Sequence, residues 1–498
     1  MPLAPRLSAV CCAALLLASA ALRADDPVIH RGLGPSPDTL DIHRAQGLSA
    51  FNLLRDLHEG LLTRDAAGRP MPGIARAWTV EDDARRWRFD LDPQARWSDG
   101  RAIVAADFVR GFERARDPAT ASPTAGWLEP ISAIRALDAR QLEIELHRPL
   151  PWFEELLTLP VTFPWPGEGR DVYSGPFRLV ERVPGSVFRL ARNTHYREAD
   201  RVAPGGVTWH VTEDPSAELA RFRAGELHAT ETVPPGRIDW LREQLGDALH
   251  ISPYLGSFYL VFNLRQAKFA DPRVRQALAL AIDRRLLTER VLGAGELPAE
   301  RLVPPGLPGW PDVAPEGLDL DARLARARAL LREAGHGRGN PLEVEMRFNS
   351  SLAHRRLAVA VAAMWKQHLG VRTRLINEEW KVFVTNRRHG RITEIVRGGW
   401  IADWADPANF LDNFHSDSPL NYAFLSDPDL DRLLEAARSQ RGPGRTATLV
   451  EAEQRLLDRH AIIPLYYYVS RHLVDPDLRG WQDNVMDIHL SRWLDLED

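Results

Sequence analysis

The run WIADWADPANF, from Trp400 to Phe410, is the stretch that says most about the fold and the site of this chain. It places Asp403 and Asp406 among tryptophans, a phenylalanine and a proline, and it contains no lysine or arginine. A carboxylate in such apolar surroundings is costly to keep charged unless a cation meets it. We therefore expect the cation to come from elsewhere in the fold or from the ammonium group of a ligand.

The two carboxylates differ in the alternatives that they allow. Asp406 precedes Pro407, a pattern typical of a residue that caps a helix with proline at the first helical position. This explanation fits Asp403 much less well. The hypothesis of a ligand-binding carboxylate therefore rests on Asp403.

The N-terminal segment predicts where the protein works. One positive charge in residues 1–6 is followed by an apolar run over 7–22, which is short for a membrane span. We expect a signal peptide over 1–24, cleaved after Ala24, and a periplasmic protein. Cys11 and Cys12 are the only cysteines and lie in this segment. The mature chain would then have no thiol, which excludes cysteine catalysis, cysteine-based zinc sites and redox chemistry.

Composition limits the class of protein further. The chain has 498 residues, 44% of them hydrophobic and 26% charged, as expected for a globular protein of about two or three domains. A net charge of −5 argues against a nucleic-acid partner. Of the 63 basic residues all but Lys268, Lys366 and Lys381 are arginines, so a single arginine is weak evidence of binding. No later apolar run is long enough to span a membrane.

Hydrophobic periodicity predicts alternating helices and strands, hence an α/β fold with mixed sheets. The predicted helices cover 49–62, the stretch with Phe108 and Phe112, a segment from Asp271 to about Gly293, 320–334, 352–369 and the surroundings of Leu430 and Leu449. The predicted strands cover 87–91, 371–376 and 462–469, and 175–192 reads as a hairpin that turns at Pro184-Gly185.

The sequence carries no motif of a known enzyme. HExxH, GxSxG, the Walker loop and the dinucleotide fingerprint are all missing. The histidines are scattered, and neither His43 with His58 nor His354 with His368 has metal-ligand spacing. We expect a protein that is not an enzyme and has no catalytic residues, no metal site and no cofactor.

Nine segments in a fixed order carry a family resemblance. They are EGLL at Glu59, PGIARAW at Pro72, WRFDLDPQARWSDG at Trp87, AADFVRGFERARDPATASP at Ala105, SGPFRL at Ser174, NLRQAKFADPRVRQALALAIDRRLL at Asn263, WKQHLGVRTRLINEEW at Trp365, RGGWIADWADPANFL at Arg397 and IIPLYYYVSRHLVDP at Ile462. Together the segments resemble the peptide/nickel class of periplasmic solute-binding proteins of ABC importers, family 5. The WxADWxDP run and the IIPLYYYV strand point to its oligopeptide branch.

The resemblance implies an architecture and partners. It implies a two-lobed periplasmic-binding-protein clamp, class II-like and type C, with an extra inserted domain. Lobe I would comprise 25–58, 172–255 and 485–498, the inserted domain 59–171, and lobe II 256–484. Chain crossings near Gly256 and near 481–485 would form the hinge, and closure would be a rigid-body rotation. The implied protein is a monomer that does not span the membrane, binds an oligopeptide and delivers it to an inner-membrane ABC permease.

The resemblance also implies site residues. In the family the aspartate of the Trp-x-Ala-Asp motif pairs with the N-terminal ammonium of the peptide, and here this residue is Asp403. Arg397 and Arg388 match arginines near the peptide backbone or its C-terminal carboxylate, and His354 matches a histidine near the same end. Pocket walls and backbone-pairing neighbours would be Trp380, Asn349, Trp400, Gly399, Tyr254 and Tyr259. The alternatives are surface positions for the two arginines and His354, and an ordinary core role for each aromatic residue.

The chain departs from the family pattern at several points. Gln46 stands where the family has an acidic residue, Val261 replaces a glutamate, and Gly256 and Ile401 replace a cysteine pair. The segment 301–310 looks shortened. The amine end of the site is therefore expected to be kept, whereas the side-chain pockets and the carboxyl end differ. A murein peptide, a nickel chelate, haem or an oligosaccharide are alternative ligands, and a secreted hydrolase is the remote alternative.

Overall fold

The computed structural model describes residues 26–81, 84–311, 319–391 and 393–496. The predicted signal peptide, with Cys11 and Cys12, lies outside this part of the chain. Within it, helices and strands alternate as an α/β protein, as the sequence predicts. None of its helices combines the length and the hydropathy that a membrane span requires.

Three sheets organise the described residues. In spatial order the first contains Val28–Gly34, Gly206–Val211, Val187–Arg192 and Phe177–Val183. The second contains Ala75–Val80, Arg86–Leu91, Gln141–Leu146 and Ile131–Ala136. The third contains Leu297–Pro298, Ile462–Leu473, Leu249–Phe262, Ile395–Ile401, Glu343–Asn349 and Arg372–Glu378. Two ribbons pair Leu62–Arg64 with Pro70–Pro72 and Leu478–Arg479 with Asp495–Leu496.

Helices cover these sheets. The α-helices in the described ranges are Leu48–Leu57, Ala105–Arg116, Phe153–Leu156, Pro215–Arg223, Ile238–Leu245, Pro272–Leu280, Arg284–Leu286, Leu320–Glu333, Leu352–Leu369, Trp380–Arg388, Ala408–Leu411, Pro428–Ser439 and Gly442–Asp458, and a π-helical turn covers Leu287–Leu292. Short 3₁₀ turns cover Pro118–Thr120, Ala125–Leu128, Pro160–Thr162, Ala199–Arg201, Pro235–Arg237, Gly246–Ala248, Ala267–Phe269, Asp412–Phe414 and Ser491–Trp493.

The third sheet is covered on both faces because its central strand alternates between two cores. Along Leu249–Phe262, the side chains of Phe258 and Leu260 pack in one core, and those of Tyr259 and Val261 pack in the other. The helices Leu320–Glu333 and Leu352–Leu369 belong to the first core, and Pro428–Ser439 and Gly442–Asp458 belong to the second. The second sheet has a separate core around Trp97.

Two long strands connect the first lobe to the third sheet. Leu249–Phe262 pairs antiparallel with Ile462–Leu473, from Leu249 opposite Leu473 to Pro253 opposite Val469. The pairing is then interrupted and resumes at Ser257. The chain thus crosses twice in one two-stranded ribbon, and the ribbon is irregular where the two bodies meet.

The end of this ribbon already belongs to the first lobe. Val474 forms a bridge with Ala229, and it packs with Ile29, Leu478 and Leu494. These contacts lead us to move the second crossing from 481–485 into the strand Ile462–Leu473. The division into two lobes and an inserted domain, with that change, is our proposal.

The C-terminal segment is held by buried polar contacts with the first lobe and with Glu59, the first residue of the inserted domain. The carboxylate of Asp56 accepts hydrogen bonds from the Trp209 indole at 3.0 Å and from the Ser491 backbone N–H at 3.1 Å. Arg492 and Glu59, whose side chains are each 2% exposed, form an ion pair at 3.1 Å. Residues far apart in the sequence therefore complete one body.

Candidate functional site

Asp403 lies at the junction between the two bodies. It follows the strand Ile395–Ile401, and the N–H of Ala402 donates to the carbonyl of Leu255 at 2.8 Å. The N–H of Leu255 in turn donates to the carbonyl of Val485 at 2.8 Å. Backbone hydrogen bonds thus place Asp403 beside the ribbon that links the lobes.

The carboxylate of Asp403 makes no hydrogen bond or ion pair with another side chain or backbone group in the described ranges. It is half-buried, and its burial raises its pKa to about 6. Desolvation disfavours the charged form when no partner compensates for it. Asp403 is therefore a site where a cation would be stabilised.

The positively charged partner of Asp406 is a residue of the protein itself. Arg445, in the helix Gly442–Asp458, donates from both terminal nitrogens to the two carboxylate oxygens of Asp406, each at 2.8 Å. Oδ1 also accepts the N–H of Ala408, the first residue of the next helix, at 2.8 Å. Asp406 thus takes its partner from the fold, whereas Asp403 has none within the part of the chain that the structure describes.

Tryptophans hold the loop that carries Asp403. The indole N–H of Trp400 donates to the side chain of Asn409 at 2.6 Å and so closes the loop from strand to helix. Trp404 stacks on Trp152 of the inserted domain, with ring centroids 3.9 Å apart and planes at 16°. The loop is therefore in contact with both lobe II and the inserted domain.

Besides Asp403, a set of polar side chains lies around the ring of Phe258. The guanidinium carbon of Arg397 lies 5.2 Å from the ring centroid, and the imidazole centroid of His354 lies 5.4 Å from it. Burial and the nearby charge of Arg397 lower the pKa of His354 to about 4. His354 is therefore neutral at pH 7, and Arg397 supplies the positive charge of this group.

Three buried polar atoms of this group have no hydrogen-bond partner in the described part of the chain. They are Nε of Arg397, Nδ1 of His354 and Oδ1 of Asn349, whose backbone lies beside the His354 imidazole. Buried polar groups are nearly always paired, so several orphans in one place indicate that a ligand or solvent completes them. A guanidinium beside a neutral imidazole suits a carboxylate.

An open strand edge runs between Asp403 and the polar side chains around Phe258. Strand Ile395–Ile401 pairs along its whole length with Leu249–Phe262, but on its other side only Ile395 and Val396 pair with Glu343–Asn349. From Arg397 to Ile401 no strand of the described residues covers that edge. Four steps of about 3.4 Å make this open edge about 14 Å long.

Gly399 keeps the face between Arg397 and Asp403 clear. A Cβ at this position would stand 3.2 Å from the hydroxyl of Tyr468 and 3.4 Å from Nη2 of Arg397. A larger residue would therefore fill the space between the strand and these polar atoms.

The aromatic residues predicted for the pocket take different positions. Tyr254 lies at the interrupted part of the ribbon, and its pKa is raised by burial and by the charges of Asp487 and Glu231. Tyr259 is buried in a core, beside Phe414. It therefore supports the sheet from behind, and a direct ligand contact by Tyr259 stays a prediction.

The helix Trp380–Arg388 presents two of the predicted residues to solvent. Trp380 is 49% exposed at its first turn, and Arg388 is exposed at its last residue. The neighbouring Arg387 turns inward instead, with its guanidinium 4.4 Å from the ring centroid of Tyr422. The structure does not bring Arg388 to the group around Phe258, so its role also stays a prediction.

Comparison with known proteins gives the family. Residues 69–422 match the family described as bacterial extracellular solute-binding proteins, family 5 Middle. The periplasmic oligopeptide-binding protein OppA of Escherichia coli (strain K12) is 34% identical over 511 residues, covering 94% of each chain. The chain belongs to solute-binding protein family 5.

Two further comparisons concern another family 5 protein. The periplasmic murein peptide-binding protein MppA of Escherichia coli (strain K12) is 33% identical and covers 98% of each chain. A structure titled as the unliganded open form of MppA matches with a TM-score of 0.86 and 33% identity, covering 95% of this chain and 98% of that one. The fold is therefore the two-lobed family 5 clamp, as the sequence analysis predicts.

One departure from the family pattern can now be located. Gly256 and Ile401, which replace the cysteine pair, are direct register partners on neighbouring strands. A Cβ at Gly256 would approach Cδ2 of Tyr468 to 2.6 Å. The ring of Tyr468 thus leaves little room for a side chain at Gly256.

The structure also brings together residues that the sequence analysis missed. His472, Asp487 and His489 place one potential metal-ligand atom each within 4.8 Å of the others. The spacing of two histidines seventeen positions apart, on a strand and in an irregular segment, resembles no known ligand motif. Only the fold reveals this cluster, which lies on the first-lobe end of the ribbon.

Proposed function

We propose that this family 5 protein captures short peptides with a free N-terminal ammonium group and delivers them to an ABC-type permease. One observation carries the proposal: Asp403 is a half-buried carboxylate at the junction of the lobes, without a partner in the described residues. A bound ammonium group would supply the missing charge. The protein would bind and release its ligand without chemical change.

The open strand edge supports an extended ligand. A peptide that pairs with the edge from Arg397 to Ile401 would add a strand to the sheet. Its ammonium group would reach Asp403, and its carboxylate would reach Arg397, His354 and Asn349. An edge of about 14 Å suits peptides of about three to five residues.

The relatives support the same ligand class and place. OppA is named as an oligopeptide-binding and MppA as a murein peptide-binding protein, and both are named as periplasmic. We extend to this chain the periplasmic location, the signal peptide over 1–24, the inner-membrane permease as partner and the monomeric state.

The test removes one charge at a time at the amine end of the site, first from the protein and then from the peptide. Asp403→Ala should weaken the binding of a free-amine peptide by roughly 2–5 kcal/mol, because it leaves the ammonium group unpaired. N-acetylation of the peptide should cost a comparable amount with the unchanged protein. Calorimetry measures both, with Asp417→Ala, an exposed aspartate of the same lobe, as control.

The outcome separates the proposal from its competitors. Neutral results for both Asp403→Ala and N-acetylation would show that Asp403 is no amine anchor. An equal loss with Asp417→Ala would indicate a general effect of net charge instead.

A murein peptide is the second candidate ligand. The overall shape agrees with the open form of MppA at a TM-score of 0.86. A murein tripeptide also offers more than one carboxylate, one of which Arg397 would meet. Competition between a murein tripeptide and ordinary tripeptides of equal length would decide which class binds more tightly.

A further inference from the structure

The cluster of His472, Asp487 and His489 has the chemistry of a metal site. Nε2 of His472 lies 2.7 Å from Oδ1 of Asp487, and Nε2 of His489 lies 3.1 Å from the same oxygen. Two imidazole nitrogens and a carboxylate oxygen suit Zn²⁺ and neighbouring transition metals.

A backbone carbonyl orients the first histidine. Nδ1 of His472 lies 2.9 Å from the carbonyl oxygen of Thr230, which can only accept, so Nδ1 carries a proton. Carbonyls often hold metal-binding histidines in this way, because the neutral ring then presents its lone pair at Nε2. That lone pair points at a carboxylate, so either a second proton or a cation must lie between Nε2 and Asp487.

The second histidine is fixed as firmly. Its ring stacks on Trp481, with centroids 3.8 Å apart and planes at 14°. Its backbone carbonyl accepts a hydrogen bond from Arg31 at 2.6 Å. Both imidazoles are nearly buried, with side-chain exposures of 6% for His472 and 4% for His489, whereas that of Asp487 is 21%. A cation would therefore enter past the carboxylate of Asp487.

The ionisable groups near the cluster are compatible with a bound cation. Arg31 opposes it, but the guanidinium is engaged by Ser491 at 2.8 Å and by the His489 carbonyl. The carboxylate of Glu231, the residue after Thr230, forms no hydrogen bond or ion pair with any described residue. Burial raises the pKa of the Glu231 carboxyl to about 8, so it is mostly protonated at pH 7 without a cation, and a bound cation would favour its ionised form.

We propose that His472, Asp487 and His489 bind one divalent transition-metal ion, with Zn²⁺ as the reference ion. Ligands at 2.0–2.1 Å in a tetrahedron stand about 3.3 Å apart. The two nitrogen–oxygen distances of 2.7 and 3.1 Å would therefore lengthen by about 0.6 and 0.2 Å, and the two nitrogens already lie within 4.8 Å of each other. The fourth position is open to water or to Glu231. The ligand set shares no residue with the peptide site proposed around Asp403, and it departs from the expectation of a protein without a metal site.

The position of the ion would connect two parts of the hinge. His472 lies on a crossing strand, and Asp487 and His489 follow Val485, whose carbonyl accepts the N–H of Leu255 on the other crossing strand. The ion would hold these segments together at the first-lobe end of the ribbon.

The experiment uses the mature chain after treatment with EDTA. Calorimetry should show one Zn²⁺ per chain, and Co²⁺ should give the visible absorption bands of a four-coordinate site. Asp487→Asn, which keeps the side-chain volume, and His489→Gln should each reduce the affinity at least about tenfold. Melting curves in EDTA verify that each variant is folded.

His210→Gln is the matched control. His210 belongs to another group of histidines in the same lobe, where its Nε2 lies 3.0 Å from Nδ1 of His30, and this group should not contribute. Absence of Zn²⁺ binding by the folded wild type would overturn the proposal and leave a protonated His472 paired with Asp487. The same follows if His210→Gln reduces the affinity as much as Asp487→Asn. Peptide binding measured in EDTA is independent of either result.

Discussion

The sequence predicts the role of a single site residue where its charge requires a partner of opposite sign. The sequence shows two carboxylates without a local cation, and the structure assigns Arg445 to Asp406, whereas Asp403 has no cation partner among the described residues. Periodicity cannot say which of two adjacent arginines turns inward at a helix end. The position of Arg387 over Tyr422, with Arg388 in solvent, is therefore visible only in the fold.

The raised pKa of Asp403 predicts a pH dependence of binding. Only the ionised carboxylate attracts an ammonium group, and burial places the pKa of Asp403 at about 6 in the free protein. Affinity for free-amine peptides should be level between pH 6.5 and 7.5 and should fall about tenfold for each pH unit below about 6. Calorimetry at several pH values measures this.

Two controls belong to the pH experiment. An N-acetylated peptide and the variant Asp403→Asn should both give a nearly flat profile over the same range. A profile that keeps its slope in Asp403→Asn would assign the titration to another group. For the free protein the sign is opposite: because the folded pKa exceeds the unfolded value, stability should decline as pH rises from about 4 to 6.

Arg397 should distinguish acids from amides. Arg397→Ala should weaken short free-acid peptides more than their C-terminal amides, because only the acid offers a carboxylate to the guanidinium. The ratio of the two dissociation constants is the measurement. Arg355→Ala, on the exposed face of the helix Leu352–Leu369, should leave the ratio unchanged. Equal losses for acid and amide would show that Arg397 supports the sheet without contacting the ligand.

Elements were predictable where helix ends have clear caps. The helix Leu352–Leu369 agrees with its prediction because Ser351 caps its start and Gly370 takes the left-handed conformation at its end. The helix that Asp271 caps, Pro272–Leu280, ends earlier than predicted. Asp283 caps a new turn there by accepting the N–H of Leu286, a competing local signal that the apolar stripe conceals.

The helix Gly442–Asp458 stabilises the site loop through one ion pair. The side chains of Arg445 and Asp406 are 12% and 9% exposed, so Arg445→Met would leave a nearly buried carboxylate unpaired. We expect a loss of about 3–5 kcal/mol in the unfolding free energy of this lobe, measured by denaturant titration. Arg432→Ala breaks a pair whose members are 71% and 48% exposed, and should cost less than about 1 kcal/mol.

A second variant identifies the cause of that loss. Asp406→Asn combined with Arg445→Met removes both charges and should recover much of the stability, because no charge is then left unpaired. If the double variant is as unstable as Arg445→Met alone, packing of the arginine stem would be the cause instead.

At the scale of the whole molecule, the interrupted ribbon predicts closure. Its pairing breaks between Pro253 and Ser257, where Asp403 and the junction of the lobes lie. The overall shape resembles an unliganded open form. A peptide that contacts both lobes should shift the equilibrium to a closed form by rotation at this break.

Small-angle scattering should show this closure. The radius of gyration should be smaller with a saturating free-amine peptide than without it, and it should not change with the N-acetylated peptide at equal concentration. An unchanged radius at confirmed saturation would remove the rotation and leave a rigid binding cleft.

The buried contacts between Asp56 and Ser491 and between Glu59 and Arg492 also govern the order of assembly. The inserted domain has all its strands close together in sequence and can form while later residues are still being synthesised. The first lobe begins the chain but acquires its last partners only when residue 492 has been made, since contacts of long sequence separation form late. The part of the polypeptide that emerges first is thus the last to become locked, a delay that would keep the chain unfolded for the export that we propose.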